Sequence, residues 1–371
     1  SPQILDVAGT SYLNVGGWDP SSMGEWVLKL NDGAEAPNQL WSFENTHVMD
    51  VGNSEWSNYF RDRVAMWVER TGADGVFLDG TPWNGAYYPS PGNLRDYGSR
   101  GDIEAATRMF VDNLRSVTMV IDDEWKEGRQ DHLDGLWDEP WIGYDATIPV
   151  WGFNSPTRWE GALINVERLS AEKKLPICQG WYHYGSRLEL VYLVGTYLLG
   201  KNSNSAVFQP CPVDSPHLPA GSPYDFSCYT ADIYAAELDA YPEIFDVELG
   251  AAAGGRYQVE EHLWARDFER GRVYVNASLS ETRVVELGEM MRDVDGHPVS
   301  QLNLVPRAGA ILRDPGATAV LETDEMGKPQ QSSLDASYPN PFNSKTILRY
   351  TVNDRGLVDL AIYNLQGQLV R

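Results

Sequence analysis

Two short apolar runs in this chain end in carboxylates. Residues 72–80 read GADGVFLDG, so Val76, Phe77 and Leu78 are followed at once by Asp79, then Gly80, Thr81, Pro82 and Trp83. Residues 134–141 read DGLWDEPW, in which Leu136 and Trp137 lead into Asp138, Glu139 and Pro140. A brief apolar run bounded by turn residues fits a strand buried on both faces. Acids at the ends of two such strands supply what general acid–base chemistry needs, one carboxylate working ionised and the other protonated. A cap on the following turn is the structural alternative for each of them. A third run, Leu175–Gln179, leads into Gly180, Trp181, Tyr182 and His183 and offers polar and aromatic groups at a strand end.

The elements that must position these groups alternate. Trp56, Phe60, Val64, Trp67 and Val68 recur at helical spacing within a helix expected over 54–70. Further helices are expected near 103–115, 159–173, 188–199 and 229–240, and strands at Val48–Asp50, Val76–Asp79, Val117–Ile121, Leu136–Glu139, Leu175–Gln179 and Ala206–Gln209. Ile4–Val7 and Leu40–Phe43 are further strand candidates in a stretch dense in turn residues. Strands alternating with helices imply a mostly parallel sheet, and in barrels of that class reactive groups sit where strands end. After Gly250 the pattern changes to alternating runs such as Arg272–Asn276 and Thr282–Leu287, as in a small antiparallel β-domain. The organisation expected is a barrel over 1–250, a β-domain over 251–316, a polar linker over 317–337 and a last β-type module over 338–371.

Composition narrows the partners. The chain has 371 residues and carries 29 basic against 53 acidic residues, net −24, a field that repels nucleic acid and anionic membrane surfaces. No apolar run approaches the roughly 18 residues of a membrane span. No signal peptide stands at Ser1, so the chain reads as mature or as beginning within a longer protein. Thirteen tryptophans, several near expected strand ends (Trp83, Trp137, Trp141, Trp151 and Trp181), could stack on the apolar faces of sugar rings or simply pack a core. Cys178 lies in an apolar run and reads as buried, whereas Cys211 and Cys228 flank a Pro-rich loop and suit a disulfide in an exported protein. There is no paired-His zinc motif, no CxxC pair, no GxSxG elbow and no phosphate cradle, so neither a metal nor a cofactor is expected. Asp293-Val294-Asp295-Gly296 reads as a hairpin turn rather than a calcium loop, and the run Asp122-Asp123-Glu124 as a solvated face, with a structural cation as its alternative.

Two segments resemble known families. The end of the chain, with Tyr338-Pro339-Asn340-Pro341-Phe342-Asn343, Thr346-Ile347, Tyr350, the Val358–Asn364 run and Gly367-Gln368, resembles the C-terminal sorting module of the type IX secretion system. That resemblance implies export by the type IX machinery, with a secreted or cell-surface location, and a partial β-sandwich at the C-terminus. Residues from about 25 to 313 resemble a family assigned as glycoside hydrolases, with a TIM-type barrel and an appended β-domain. The likeness is carried by Trp26-Val27-Leu28, Val48–Val51, Asp74–Asp79, Asp134–Glu139, Glu248-Leu249-Gly250, Arg266–Gly271 and Val273–Asn276. Relatives carry about two more βα units ahead of this point, so the barrel expected here is incomplete at its N-terminal side.

Glycoside hydrolysis asks for two facing carboxylates. With Val48–Asp50 as strand three, Asp79 and Glu139 stand two strands apart, and analogy with related barrels makes Asp79 the nucleophile and Glu139 the acid/base. Asp138 competes with Glu139 for the second role. Strand-end logic adds Asp50, Trp83, Trp141, Gln179, Trp181 and His183 as groups that bind or stack on a carbohydrate substrate. The competing expectation is a non-catalytic protein that binds glycan at the cell surface or assembles with copies of itself. A polysaccharide lyase is a weaker third, since the acidic balance disfavours polyanions.

Overall fold

A computed structural model describes residues 4–7, 24–37, 48–78, 81–83, 88–122, 130–143, 155–202, 206–213, 238–315, 333–334 and 350–351. Ile4–Val7, Gln130, Asp138–Pro140, Val213 and the two short C-terminal strands are described by their backbone alone. The chain divides into two compact units, Ser1–Pro315 and Gly316–Arg371.

Six strands of the first unit form one sheet in the order of the sequence, all pairs parallel. They are β1 (Ile4–Val7), β2 (Gly75–Leu78), β3 (Met119–Asp122), β4 (Gly135–Gly143), β5 (Leu175–His183) and β6 (Val207–Val213). Helices α1 (Ser54–Thr71), α2 (Arg100–Arg115), α3 (Pro156–Ala171) and α4 (Arg187–Gly200) alternate with them. Sequential parallel order with helices between strands is the α/β wall of a TIM-type barrel. Helices α1, α2 and α3 begin with capping side chains that stop the chain from winding earlier. The Asn53 side chain accepts the backbone N–H groups of Glu55 and Trp56, and Ser99 and Asp102 form a reciprocal capping box on α2. Helix α1 ends where Gly72 takes a φ of 71°, a conformation only glycine adopts without strain.

One expected strand is corrected. Val48–Asp50 is not part of the parallel sheet; Met49 makes an antiparallel bridge to Val27, and β1 lies directly beside β2. The local run Val48-Met49 is apolar because both side chains are buried with Trp56 and Phe60, which a strand-like reading cannot tell from sheet pairing. Strands β4, β5 and β6 also run further than expected, to Gly143, His183 and Val213. In β4 the pairing slips between Asp138 and Ile142, which absorbs Pro140 without ending the strand. The strand expected at 40–43 and most of the helix expected at 229–240 lie outside the described residues.

The sheet has two distinct faces. Val76, Leu78 and Val120 pack with α1 and α2, and Cys178, Tyr182 and Phe208 with α3 and α4. The opposite face begins with a small apolar layer of Phe77, Ile121, Leu175 and Ile177, with Met119, Trp137 and Val207 against it. Helix α4 is apolar nearly all round because it is covered on both sides, by the parallel sheet and by a second sheet.

That second sheet is antiparallel, in the order β11-β10-β12-β9-β8-β7. Its strands are β7 (Tyr257–Glu260), β8 (Leu263–Phe268), β9 (Gly271–Asn276), β10 (Arg283–Arg292), β11 (Pro298–Leu304) and β12 (Ala308–Arg313). Arg266, buried on β8, reaches the end of α4. Its Nη1 donates to the carbonyls of Leu198, Leu199 and Lys201 (2.6–3.1 Å), its Nη2 to Asn202 Oδ1 (2.8 Å) and its Nε to the Gly254 carbonyl (2.9 Å). A helix C-terminus leaves carbonyls without intrahelical donors, and a guanidinium supplies them. Gly309 allows close approach, since a Cβ there would stand 2.8 Å from the Val191 carbonyl oxygen. Arg256 adds a second tie, its guanidinium 4.3 Å from the Trp264 ring centre and its Nε 2.8 Å from Glu167 of α3. The two sheets therefore belong to one compact unit. In the second unit the described backbone is one antiparallel pair, β13 (Ser333–Leu334) with β14 (Tyr350–Thr351).

Candidate active site

A helix that returns between parallel strands starts at their C-terminal ends, so the loops before α1, α2, α3 and α4 gather at that edge of the sheet. Asp79 directly follows β2 and lies outside the described residues; Asp138 and Glu139 lie in β4 with their side chains outside them. Their carboxyl separation and the choice between Asp138 and Glu139 are thus not features of the described structure. Their surroundings are. The rings of Phe77 and Trp137, each two positions before one of the proposed acids, meet across β3 with centroids 4.5 Å apart. Strands β2 and β4 flank β3.

The face carrying those rings changes character along β5 and β6. Leu175, Ile177 and Val207 belong to the apolar layer. Two residues further on, the same face presents Gln179 and Gln209, then Trp181, then His183, because side chains on a strand alternate. Gln179 is fully buried; its Oε1 accepts from Trp181 Nε1 at 2.6 Å and its Nε2 stands 3.5 Å from Gln209 Oε1. His183 is tied to Glu189 in the first turn of α4. The His183 backbone N–H donates to Glu189 Oε2 at 2.8 Å and its Nδ1 lies 3.1 Å from the same oxygen. Gln179 and Trp181, expected at the rim, are therefore packed inside with their polar atoms turned on each other, and His183, part-exposed, is the polar group on this face of β5 that reaches the surface.

Other expected rim groups sit inside the protein. Trp83 has no exposed surface, and its Nε1 donates to Asp122 Oδ2 at 2.9 Å. Trp141 is buried against α3, where its Nε1 donates to the Ala162 carbonyl at 3.3 Å. Both indoles spend their donors within the fold, so neither offers a ring face for stacking. Asp50 is buried in the loop before α1, where it accepts from the Tyr97 hydroxyl and from the Gly52 N–H (2.9 Å). Burial pushes its carboxyl above the ordinary carboxylate range, against the lowering effect of those two donors. Tyr88 completes the cluster, donating to the Met49 carbonyl at 2.6 Å.

Asp122 is a correction in the other direction. The run Asp122-Asp123-Glu124 reads as a solvated face, yet Asp122 has no exposed surface at the end of β3 and accepts from both Thr81 Oγ1 and Trp83 Nε1. Asp123 and Glu124 lie outside the described residues. The signal was present, since Asp122 closes the run Met119-Val120-Ile121 as Asp79 closes Val76-Phe77-Leu78. Glu189 was also missed, because nothing local in the sequence marks a first-turn helix acid as the partner of a histidine six residues earlier.

Two further features lie away from this edge. A concavity of about 630 Å³ opens at the opposite end, where Met119 and Leu175 begin their strands, lined also by Arg115, Asp134, Glu172 and Lys174. Arg115 is committed there to Asp134 (2.8 Å), and the N-terminal edge of such sheets serves stability rather than chemistry. In the turn from β10 to β11, the ligand atoms of Asp293, Asp295 and His297 lie within 4.8 Å of one another. Asp293 Oδ1 accepts the backbone N–H groups of Asp295 and His297, and Asp295 pairs with Arg187 at 2.6 Å, so turn formation and an ion pair account for both acids. Cys211 is disulfide-bonded, while Cys228 lies outside the described residues. Among the described residues no helix is long and apolar enough to cross a membrane.

No family model and no curated protein matches the chain. Solved structures with a related backbone include a noncanonic maltogenic α-amylase, AmyB, from Thermotoga neapolitana, at 13% identity over 83% of this chain and 76% of that one, TM-score 0.45. An α-amylase from Malbranchea cinnamomea aligns at 12% identity over 84% and 74%, also with TM-score 0.45. The glycoside hydrolase domain of PelA from Pseudomonas aeruginosa aligns at 16% identity over 57% and 79%, TM-score 0.38. Likeness at this level is confined to the run of the backbone, and the reading of the site stands on its own side chains.

Proposed function

We propose that this chain is a secreted glycoside hydrolase that cleaves a neutral oligo- or polysaccharide with a pair of carboxylates, Asp79 and Glu139. The observation that carries the reading is the ring contact between Phe77 and Trp137, 4.5 Å between centroids. Side chains from the two strands that lead into the acids thus meet across β3 on one face of the sheet. In this reading Asp79 is the nucleophile and Glu139 donates the proton to the leaving oxygen, as a retaining mechanism requires. His183, part-exposed at the end of β5, is the group of this row that would meet sugar hydroxyls, with Gln179 and Trp181 packed before it on the same face. The net charge of −24 favours a neutral substrate over a polyanion.

Export is part of the proposal. The Tyr338–Asn343 motif and the strand pattern after it support sorting by the type IX machinery to the cell surface or the medium. The disulfide at Cys211 supports an oxidising compartment. The experiment for the activity is a glycan panel scored for new reducing ends with the parent, Asp79→Asn and Glu139→Gln. Release by the parent and loss in both variants, with binding kept, is the expected result. Binding without release by the parent would replace the enzyme with a glycan-binding protein. For export, removal of residues 338–371 should leave the protein inside the cell, and unchanged secretion would refute the sorting role.

A further inference from the structure

The turn that joins β5 to α4 is tight. Gly185 sits in it at a φ of 77°, which strains any residue with a Cβ, and the Ser186 N–H donates to the His183 carbonyl at 3.0 Å. The first turn of α4 is thereby brought back to the end of β5. Glu189, buried in that turn of the helix, reaches His183 at two points. Its Oε2 accepts the His183 backbone N–H at 2.8 Å, and both carboxyl oxygens face the ring Nδ1, Oε2 at 3.1 Å and Oε1 at 3.2 Å. A backbone N–H can only donate, so Oε2 is an acceptor here. The amino end of a helix favours negative charge, which keeps the second oxygen an acceptor too. A ring nitrogen that faces two accepting oxygens is the one that carries the proton. The His183 side chain is 31% exposed against 11% for Glu189, so the acid is the inner member of the pair and the imidazole the outer.

We infer that Glu189 is a positioning residue: it holds His183 with the proton on Nδ1, so that Nε2 meets a sugar hydroxyl as the accepting atom. The inference rests on the reading of this edge of the sheet as the place where a glycan binds. A neutral imidazole has one donor and one acceptor, and its tautomer decides which nitrogen is which. With Nδ1 committed to Glu189, the ring takes a hydroxyl that donates its O–H and disfavours an ether or carbonyl oxygen, which can only accept. The buried acid thus sets what kind of sugar oxygen the histidine recognises without touching the sugar itself.

The test uses the full chain with Glu189→Gln, which keeps an oxygen for the backbone N–H of His183 and turns an amide N–H towards Nδ1. Glu189→Ala, which removes both acceptors, serves if Glu189→Gln does not fold. Histidine-selective ¹⁵N labelling and long-range ¹H–¹⁵N spectra at about pH 8.5, where imidazoles are ordinarily neutral, show which nitrogen of each ring carries the proton. His183→Asn identifies the His183 signals. The parent should show the proton on Nδ1, and either Glu189 variant should move it to Nε2 while the other histidines keep their signals. On whichever glycan the parent cleaves, kcat/KM should fall about 10-fold in the Glu189 variant, the worth of one hydrogen bond to the sugar. The double variant with His183→Asn should lose no more than His183→Asn alone, because Glu189 acts through the ring. A proton on Nε2 in the parent, or one that stays on Nδ1 in the Glu189 variant, overturns the inference whatever the kinetics. A moved proton with unaltered kcat/KM, or additive losses in the double variant, overturns the role in meeting the sugar. A parent inactive on every glycan defeats the hydrolase reading instead, and the spectra alone then decide whether Glu189 sets the tautomer.

Discussion

Replacing Arg266 with alanine tests whether the β-domain is an integral part of the first unit. The side chain is 3% exposed and donates five hydrogen bonds, three of them to carbonyls around the last turn of α4. Its removal leaves those carbonyls, Asn202 Oδ1 and the Gly254 carbonyl short of a donor, and opens a cavity beside Phe268. Summing a charged hydrogen bond at about 1.5–3 kcal/mol five times over would overshoot, because burying the guanidinium is itself costly and water enters the space it leaves. Burial lowers the Arg266 pKa, which is the same cost seen from the proton's side. The range observed when one partner of a buried polar network is deleted, about 3–5 kcal/mol, is the better guide. At about 2 °C per kcal/mol for a unit of this size, Arg266→Ala should melt about 6–10 °C below the parent. Arg266→Lys should fall between them, since an ammonium cannot span the same set of acceptors. Thermal unfolding followed by circular dichroism and by tryptophan fluorescence measures both variants, and the two probes should move together. A loss under about 1 kcal/mol would show that water serves the α4 carbonyls equally well and that Arg266 does not tie β8 to α4.

Three further outcomes follow from the same structure. Because burial raises the Asp50 pKa, the folded state holds its proton above the range where the unfolded chain has released it, so its contribution is full at low pH and is lost as pH rises. The stability of Asp50→Asn relative to the parent should therefore improve from about pH 4 towards neutrality, and a pH-independent difference in urea midpoints would refute this. Gly309→Ala places a Cβ 2.8 Å from the Val191 carbonyl oxygen and should destabilise the unit by about 1–3 kcal/mol in urea unfolding; a neutral result would mean that α4 can shift away from β12. Asn53→Ala removes the acceptor for two N–H groups at the start of α1 and should cost about 1 kcal/mol by the same measurement, with Asn53→Asp restoring most of it.

Much of the framework was legible because periodicity reports burial. The spacing of Trp56, Phe60 and Val64 foretold a helix whose buried side carries those residues, and the Val76–Leu78 run foretold a strand covered on both faces. Pairing was less legible, since partners are chosen by topology. Ile4–Val7 and Val48–Asp50 look alike as short apolar runs, yet one is a sheet strand and the other a bridge in a packed loop. At the site, Asp122 was hidden by its acidic neighbours, which lower the local hydrophobicity although the strand carries it inside. Trp83 and Trp141 were misplaced for the converse reason. An indole near a strand end suits a binding rim, but its N–H can equally be satisfied within the fold, as it is by Asp122 and the Ala162 carbonyl.

The central claim gives Asp79 and Glu139 different tasks, so the most direct measurement separates them. Turnover of a natural glycan is compared with turnover of an aryl glycoside of the same sugar, whose leaving group departs without a proton. Glu139→Gln should lose about 10²–10⁴-fold on the natural glycan while keeping much of its rate on the aryl glycoside, and Asp79→Asn should be inactive on both. Equal rates for parent and variants on both substrates would contradict the account.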